Sequence, residues 1–473
     1  MRAGILGGFA LAVAWCAVGC DGGEHAGRAP ALHTLPALDP PHLTVTHPAR
    51  GTARGWLFVA PKGGRSPSGG PVVADDRGRI RWYLQLPHPL EATDFRVQTY
   101  RGRPVLTWWQ GTISKAGVGK GVDEIYDTSY RRIATLRAGH GLRADLHEFQ
   151  LTPRGTAFVT AYRAVPADLS RAGGPRRGWA LDSVVQEIDV ASGRVVWEWH
   201  SVGHVPFADS LEANHEPARN ASRRRPLDYF HVNSVADGPD GTVLVSGRNV
   251  CAIYLLARDG HVVWQLGGKH GDFAPKRAVT FYFQHDARLH SGNVLTLFDN
   301  GGIPRLEPYS RPLELQLDLA RRTARVVRVF AHTPRGIPSP YEGNLQLLPD
   351  GGALVGWGGV RRVTEFARDG RVRFEVRLPF GDTYRAYRLP FTGRPRTRPL
   401  AAVGRDVVYA SWNGSTSVAT WEVDADGMKV ASRPWNGLET AIPARVGGKT
   451  VVVRALDASG RELGRSSPVA AQR

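Results

Sequence analysis

Gly241-Thr-Val-Leu-Val245 and, shortly after it, Gly260-His-Val-Val-Trp264 are the two phrases that decide the fold. Each opens on a turn glycine and runs into a short apolar stretch, the mark of a tight hairpin between half-buried strands. The second phrase returns as Gly78-Arg-Ile-Arg-Trp82, Gly193-Arg-Val-Val-Trp197 and Gly370-Arg-Val-Arg-Phe374. The first returns as Gly155-Thr-Ala-Phe-Val159, Gly292-Asn-Val-Leu-Thr296 and Gly352-Ala-Leu-Val355, with Arg103-Pro-Val-Leu-Thr107 a weaker copy. Two intervals between copies of the Trp-type phrase are about twice the third, so two copies are degenerate, over Tyr126–Leu136 and Leu315–Phe330. The phrases interleave, so each unit is two hairpins, or four strands. Four-stranded units repeating along a chain predict a six-bladed β-propeller over residues 42–399.

The texture changes after Pro399. Short strands at Val407–Trp412, Val418–Val423 and Thr450–Ala455 alternate with Asp-x-x-Gly turns, predicting a small β-sandwich-like domain over 400–473. The composition agrees with an all-β fold: 55 Gly and 33 Pro in 473 residues supply turns rather than long helices. With 42% hydrophobic residues and 13 Trp, disorder is excluded as the main state.

Lys and Arg number 61 against 43 Asp and Glu, a formal charge of +18. The basic residues are scattered, the longest run being Arg223-Arg224-Arg225, and no nucleic-acid-binding motif accompanies them. The charge therefore points to small anions rather than nucleic acid. Residues 1–19 read as a lipoprotein-type signal peptide, with Arg2, an apolar Ile5–Val18 and a small-residue close at Ala17-Val18-Gly19-Cys20. Cys20 is the expected lipidation site, residues 20–41 the expected flexible tether, and the product an exported cell-envelope lipoprotein held to the membrane by its lipid. Of the 3 Cys, Cys16 leaves with the signal, and Cys251 reads as an inert buried strand residue.

Three units carry a histidine near the start of the strand that should line the channel, seven to ten residues before the turn glycine. These are His147 in Leu146-His-Glu-Phe149, His231 in Phe230-His-Val-Asn-Ser234 and His285 in Gln284-His-Asp-Ala287, while the sixth unit offers Glu342 or Asn344 there. Equivalent positions on neighbouring inner strands converge at one channel mouth, and Arg248, in Val245-Ser-Gly-Arg248, reaches the same end. Clustered imidazoles suit a metal, but no carboxylate recurs in register and Arg248 repels cations. They also suit an anion, with one imidazole as nucleophile and its neighbours stabilising charge on oxygen. The readings open at this point are an enzyme attacking an anionic substrate without metal or cofactor, a metal-dependent enzyme on the same histidines, and a non-catalytic propeller binding anions or glycans. Gly117-Val-Gly-Lys-Gly121 lacks phosphate-loop spacing, and His215-Glu216 lacks the second histidine of a zinc protease.

The ordered set Tyr229-Phe-His-Val-Asn-Ser234, Val245-Ser-Gly-Arg248, Trp264-Gln-Leu-Gly-Gly-Lys269, Phe283-Gln-His-Asp-Ala287 and Leu297-Phe-Asp-Asn-Gly301 resembles the bacterial arylsulfate sulfotransferase family. Trp108-Trp-Gln-Gly111, Asp145-Leu-His147 and Tyr384-Arg-Ala-Tyr387 extend the resemblance over about residues 95–390. It implies a six-bladed propeller that moves a sulfuryl group from a phenolic sulfate ester to a phenolic acceptor, without a nucleotide donor. It implies His285 as the nucleophile that becomes a sulfohistidine, with His147, His231 and Arg248 as its catalytic partners. Asn233, Lys269 and Asn300 fall in its motifs as substrate-binding residues, and Trp108 and Trp109 are candidates to stack on the aryl ring or to fill core. One position departs from the family pattern: Asn249 stands where histidine often follows the arginine.

Overall fold

A computed structural model describes residues 31–63, 69–274, 279–302, 305–332 and 336–472. Nearly all the regular secondary structure among the described residues is antiparallel β-structure. Strands Val232–Asp237, Val243–Gly247, Ala252–Leu256 and Val262–Gly267 form one sheet in chain order, and His285–His290, Val294–Asp299, Arg311–Asp318 and Thr323–Val329 form the next. Upstream, an eight-stranded sheet comprises two such runs, Glu91–Leu136 and Ala144–His200, joined by a single bridge between Gly121 and Ala144. Downstream, Asn344–Leu347, Ala353–Gly356, Arg362–Phe366 and Val372–Arg377 form a further run, with Thr44–His47 added at its outer edge. The last unit is built from both ends of this region, because Tyr387–Leu389 pairs with Trp56–Val59 ahead of Val72–Ala74 and Ile80–Tyr83.

The repeated glycines sit in the hairpin turns. Gly260 has φ +92° and Gly370 φ +84°, which a side chain rarely tolerates. The two degenerate copies are hairpins as well, with Tyr130 (φ +65°) and Arg322 (φ +51°) taking the left-handed position. Asp127 makes the first of these turns workable: its carboxylate accepts from the backbone N–H groups of Ser129 and Arg131.

Beyond residue 399, a three-stranded sheet (Leu400–Val403, Val407–Ser411, Glu439–Pro443) and a five-stranded one around Thr420–Ala425 and Thr450–Leu456 share a core of Val408, Trp421, Val423, Ile442, Val451 and Val453. They dock on the first unit, where Asn413 exchanges hydrogen bonds with the Tyr83 backbone and the Arg81 guanidinium lies 3.2 Å from the Trp435 ring centroid.

The expected tether needs correcting where it is described. Residues 31–41 are packed: Leu32, Leu35 and Leu38 lie on a core that includes Leu438, and His33 stacks on Tyr409 at 3.6 Å. Thr34 bonds Glu439 through its backbone N–H and its hydroxyl, both at 2.6 Å. Burial of three leucines outweighs the freedom that the Ala- and Pro-rich composition suggests. The signal peptide and Cys20 lie outside the described residues. Among the described residues no helix is long and apolar enough to cross a membrane.

Candidate active site

The three histidines meet because the first, or inner, strands of their runs are irregular where they begin. Pairing registers shift between Val232 and Ser234 and between His285 and Arg288. Bulges of this kind re-aim side chains. His231 (φ +56°), Phe283 (φ +55°) and Asp286 (φ +52°) all hold left-handed backbones without being glycine. Such conformations persist only where the surroundings over-determine them. Cross-ties supply that constraint: Asn233 Nδ2 donates to the Gln284 carbonyl at 2.6 Å, and the Ala287 N–H donates to Ser234 Oγ at 3.0 Å.

His147 and His231 pack edge to face with ring centroids 4.8 Å apart. Each has a carboxylate on Nδ1: Asp145 for His147, and Asp228 at 2.5 Å for His231. A carboxylate on Nδ1 fixes the ring and leaves Nε2 to face the site. Burial lowers the pKa of His147, against the pull of Asp145.

His285 is held differently. Its Nδ1 lies 2.7 Å from Asn300 Oδ1 and 3.1 Å from the Phe283 carbonyl. Asn300 Nδ2 is committed to the carbonyls of Ser339 and Glu342, both at 2.9 Å, so Oδ1 is the atom facing His285. Two acceptors require the imidazole proton on Nδ1. Nε2 therefore carries the lone pair, and the Glu342 N–H donates to it at 3.3 Å. Burial, then the charge of Arg248, pushes the His285 pKa well below the ordinary value, so the ring is neutral at pH 7. It is only 2% exposed.

Arg248 is half-buried, its N–H bonded to the His231 carbonyl at 3.0 Å and its guanidinium 4.6 Å from the Phe283 ring centroid. Asn249 orients it, Oδ1 accepting from the guanidinium at 2.7 Å while Nδ2 donates to the Asp228 carbonyl. Among the described residues no carboxylate lies within 4.0 Å of Arg248, which leaves its charge for a ligand. Tyr162 and Tyr384 wall the site, their rings 6.0 and 5.6 Å from that of His147, and Tyr384 also lies 6.4 Å from that of His285. Both hydroxyls donate to inner-strand carbonyls and stay protonated.

A second cluster on the same strands has no forerunner in the sequence reading. Arg385, fully buried, meets Asp94, Glu148 and Asp286 at 3.0–3.2 Å. Arg96 adds bonds to Asp94 and Glu148, and Arg288 to Glu148 and Asp286. Three cations and three carboxylates cancel. Burial opposes ionisation of Glu148, but Arg288, Arg385 and Arg96 outweigh it and hold its pKa at about 2. The only signal was local: Asp94-Phe-Arg96 and Asp286-Ala-Arg288 repeat one spacing on two inner strands.

The remaining expected residues separate. Trp108 is fully buried among Phe58, Trp82, Phe95 and Tyr126. Trp109 is fully buried too, its Nε1 donating to the Ala144 carbonyl at 2.9 Å. Rings without exposed surface offer nothing for a substrate to stack on, so both read as core. Asn233 is buried as a tie between inner strands. Lys269 donates to the Ala208 carbonyl and lines a cavity of about 250 Å³ with Leu211, Val250, Cys251 and Phe281, which none of the three histidines lines. Cys251 is buried as expected but sits in the turn before Ala252–Leu256 (φ +49°) rather than in a strand, and burial pushes its thiol up to about 12. No group of three or more His, Cys, Asp or Glu among the described residues is arranged to hold a metal ion.

Comparison with known proteins places this geometry in a lineage. The chain is 27% identical over 190 residues to the arylsulfate sulfotransferase AssT of Escherichia coli O6:H1, a match covering 33% of this chain and 30% of that protein. The match thus spans less than a third of the relative's length. Among solved structures, a Bacteroides caccae protein of unknown function aligns with a TM-score of 0.43 at 12% identity, over 70% of this chain and 98% of its own. A virginiamycin B lyase of Staphylococcus aureus aligns at 0.30 and 10%, over 77% and 95%. Residues 96–378 match the family model described as arylsulfotransferase (ASST), a span that holds all three histidines, Arg248 and Asn300. With more than half its length inside that match, this chain belongs to the arylsulfotransferase family.

Proposed function

We propose that the protein is an arylsulfotransferase that carries a sulfuryl group on His285 from a phenolic sulfate ester to a phenolic acceptor, at the mouth of a six-bladed propeller. The observation that carries this reading is the fixed tautomer of His285, whose Nδ1 faces two acceptors and whose Nε2 is a buried, unprotonated nucleophile. In the first half-reaction the Nε2 lone pair forms the N–S bond. The aryl O–S bond breaks, and its electron pair goes to the phenolic oxygen, which takes a proton from His231, the most exposed of the three histidines. In the second, the acceptor phenol returns a proton to His231, attacks sulfur and releases Nε2. Two steps through a carrier give ping-pong kinetics. Arg248 and the neighbouring imidazoles offset charge on the peripheral oxygens, as in phosphoryl transfer.

Incubation with 4-nitrophenyl sulfate, followed by mass spectrometry, is expected to place a sulfuryl adduct on His285. His285→Ala is expected to abolish that adduct and lower turnover by at least about 10³-fold; wild-type turnover in this variant sinks the assignment. The same proposal makes the protein an exported envelope lipoprotein anchored through Cys20, with residues 42–399 as the catalytic propeller. Fatty-acyl labelling that survives in Cys20→Ser counts against the anchor.

A further inference from the structure

His285 Nε2 receives one hydrogen bond, from the Glu342 backbone N–H at 3.3 Å. That bond is long, and its acceptor is the lone pair that becomes the N–S bond. Once sulfur is attached, the lone pair is gone and the N–H faces the atoms that sulfur brings, its peripheral oxygens. The N–S bond is far shorter than the contact it replaces, so the N–H yields that place to sulfur and takes an oxygen beside it; a donor held next to developing charge is what makes fixed dipoles effective.

The Glu342 backbone does not rest in a relaxed conformation: φ is +61° at a residue with a long side chain. Several contacts hold it. Its carbonyl accepts from Asn300 Nδ2, and the next N–H, of Gly343, donates to the Tyr384 carbonyl at 3.1 Å. Gly358 packs so closely that a Cβ there would stand 2.5 Å from the Glu342 carbonyl carbon. The side chain supplies the last tie. Lys62 Nζ meets Glu342 Oε1 at 2.8 Å and Asp382 Oδ1 at 2.6 Å, and Lys62 is itself 6% exposed. The backbones of Lys62 and Asp382 bond each other in both directions, at 2.9 and 3.0 Å, so the ammonium is fixed at its root.

A buried lysine with two carboxylates is costly unless it is fully paired. Burial opposes the Lys62 charge, but Asp382 and Glu342 outweigh it and keep the ammonium charged. Burial, then Asp382, raises the Glu342 pKa against the pull of Lys62, and the single ammonium is shared between two carboxylates. The arrangement thus fits an anchor for position better than a source of charge for the site.

We propose that the Glu342 backbone N–H is a donor to the peripheral oxygens of the sulfuryl group, and that Lys62, with Asp382, is the positioning residue that holds it there. The inference rests on the sulfohistidine reading and assigns a role to groups outside the histidines and Arg248. The test is the rate of adduct formation with 4-nitrophenyl sulfate, together with steady-state kcat and KM, in the full chain and its variants. Lys62→Met is expected to slow adduct formation by about ten- to a hundredfold with KM changed less than about threefold. Glu342→Gln keeps an oxygen for Lys62 and the same N–H, and is expected to stay within about threefold of the parent rate. Gly358→Ala pushes the same turn from the opposite side, and is expected to reproduce the kcat loss where Lys62→Met does not accumulate folded. Unslowed adduct formation in Lys62→Met or, where that variant does not fold, in Gly358→Ala overturns the inference alone, provided the parent labels His285. So does a loss confined to KM, or Glu342→Gln as slow as Lys62→Met. Absence of a His285 adduct in the parent protein overturns both this inference and the reading beneath it.

Discussion

His147 and Glu148 are neighbours in sequence, as are His285 and Asp286, yet each pair divides between two clusters of opposite character. Glu148 and Asp286 belong to a set of six buried charges in which each carboxylate meets two or three guanidinium groups. His147 and His285 are as deeply buried, but each ring is anchored through Nδ1, and its Nε2 meets no charged partner, that of His285 receiving only the long bond from the Glu342 N–H. Burial is common to both clusters; satisfaction is not. The charge cluster is paired charge for charge and therefore inert, and it ties the inner strands to one another. The histidine cluster is left incomplete at the atoms that can do chemistry. A fold spends rigidity in one place to hold reactive groups in another.

The largest expected effect tests the inert side. Arg385→Met removes the cation shared by Asp94, Glu148 and Asp286, and is expected to destabilise the fold by about 3–5 kcal/mol in denaturant unfolding. A loss below about 1 kcal/mol breaks the claim that this cluster organises the inner strands. The cluster also has a pH signature. The folded pKa of Glu148 is depressed to about 2, so its contribution is present above the ordinary glutamate value and fades as pH falls towards 2.

On the reactive side, Asn300→Leu removes one of the two acceptors that hold the His285 Nδ1 proton. Adduct formation is expected to fall on the order of ten- to a hundredfold, the usual cost of losing a group that orients an imidazole, with a stability loss of about 1–3 kcal/mol from the carbonyls left unpaired, below that of Arg385→Met. A stability loss as large as that of Arg385→Met means the two clusters are not separable as described.

The smallest effect is a flat profile. A histidine at its ordinary pKa loses about two thirds of its neutral form between pH 7 and pH 6. Burial and Arg248 hold His285 well below that value, so single-turnover adduct formation with 4-nitrophenyl sulfate, whose good leaving group departs without needing the His231 proton, is expected to change less than about twofold over this interval. The sign for stability follows the same logic: the neutral ring favours the fold above 6.5, and that contribution fades as pH falls and the unfolded chain takes up the proton. A midpoint at or above 6.5 for adduct formation places the His285 proton elsewhere.

The hairpins were legible because a turn is a local event, decided by a glycine and its immediate neighbours. Even the degenerate copies fall where spacing put them, although Tyr130 and Arg322 replace the glycine. The histidines were legible because they recur at equivalent places on successive strands. Trp108 and Trp109 were not, because stacking on a ligand and filling a core call for the same residue, and only packing says which surface stays open. The tether was misread in its second half for a related reason: leucines spaced through a Pro-rich stretch bury only if a groove lies within reach.

The sequence by itself determined the all-β character, the repeat, and the candidate histidines and arginine, all properties of short segments and their periodicity. Only the tertiary structure decided which nitrogen of His285 carries the proton, what holds the six buried charges, and that Lys62 reaches Glu342. Each of these depends on groups distant along the chain, and no local pattern encodes a hydrogen bond whose two ends are set by separate strands.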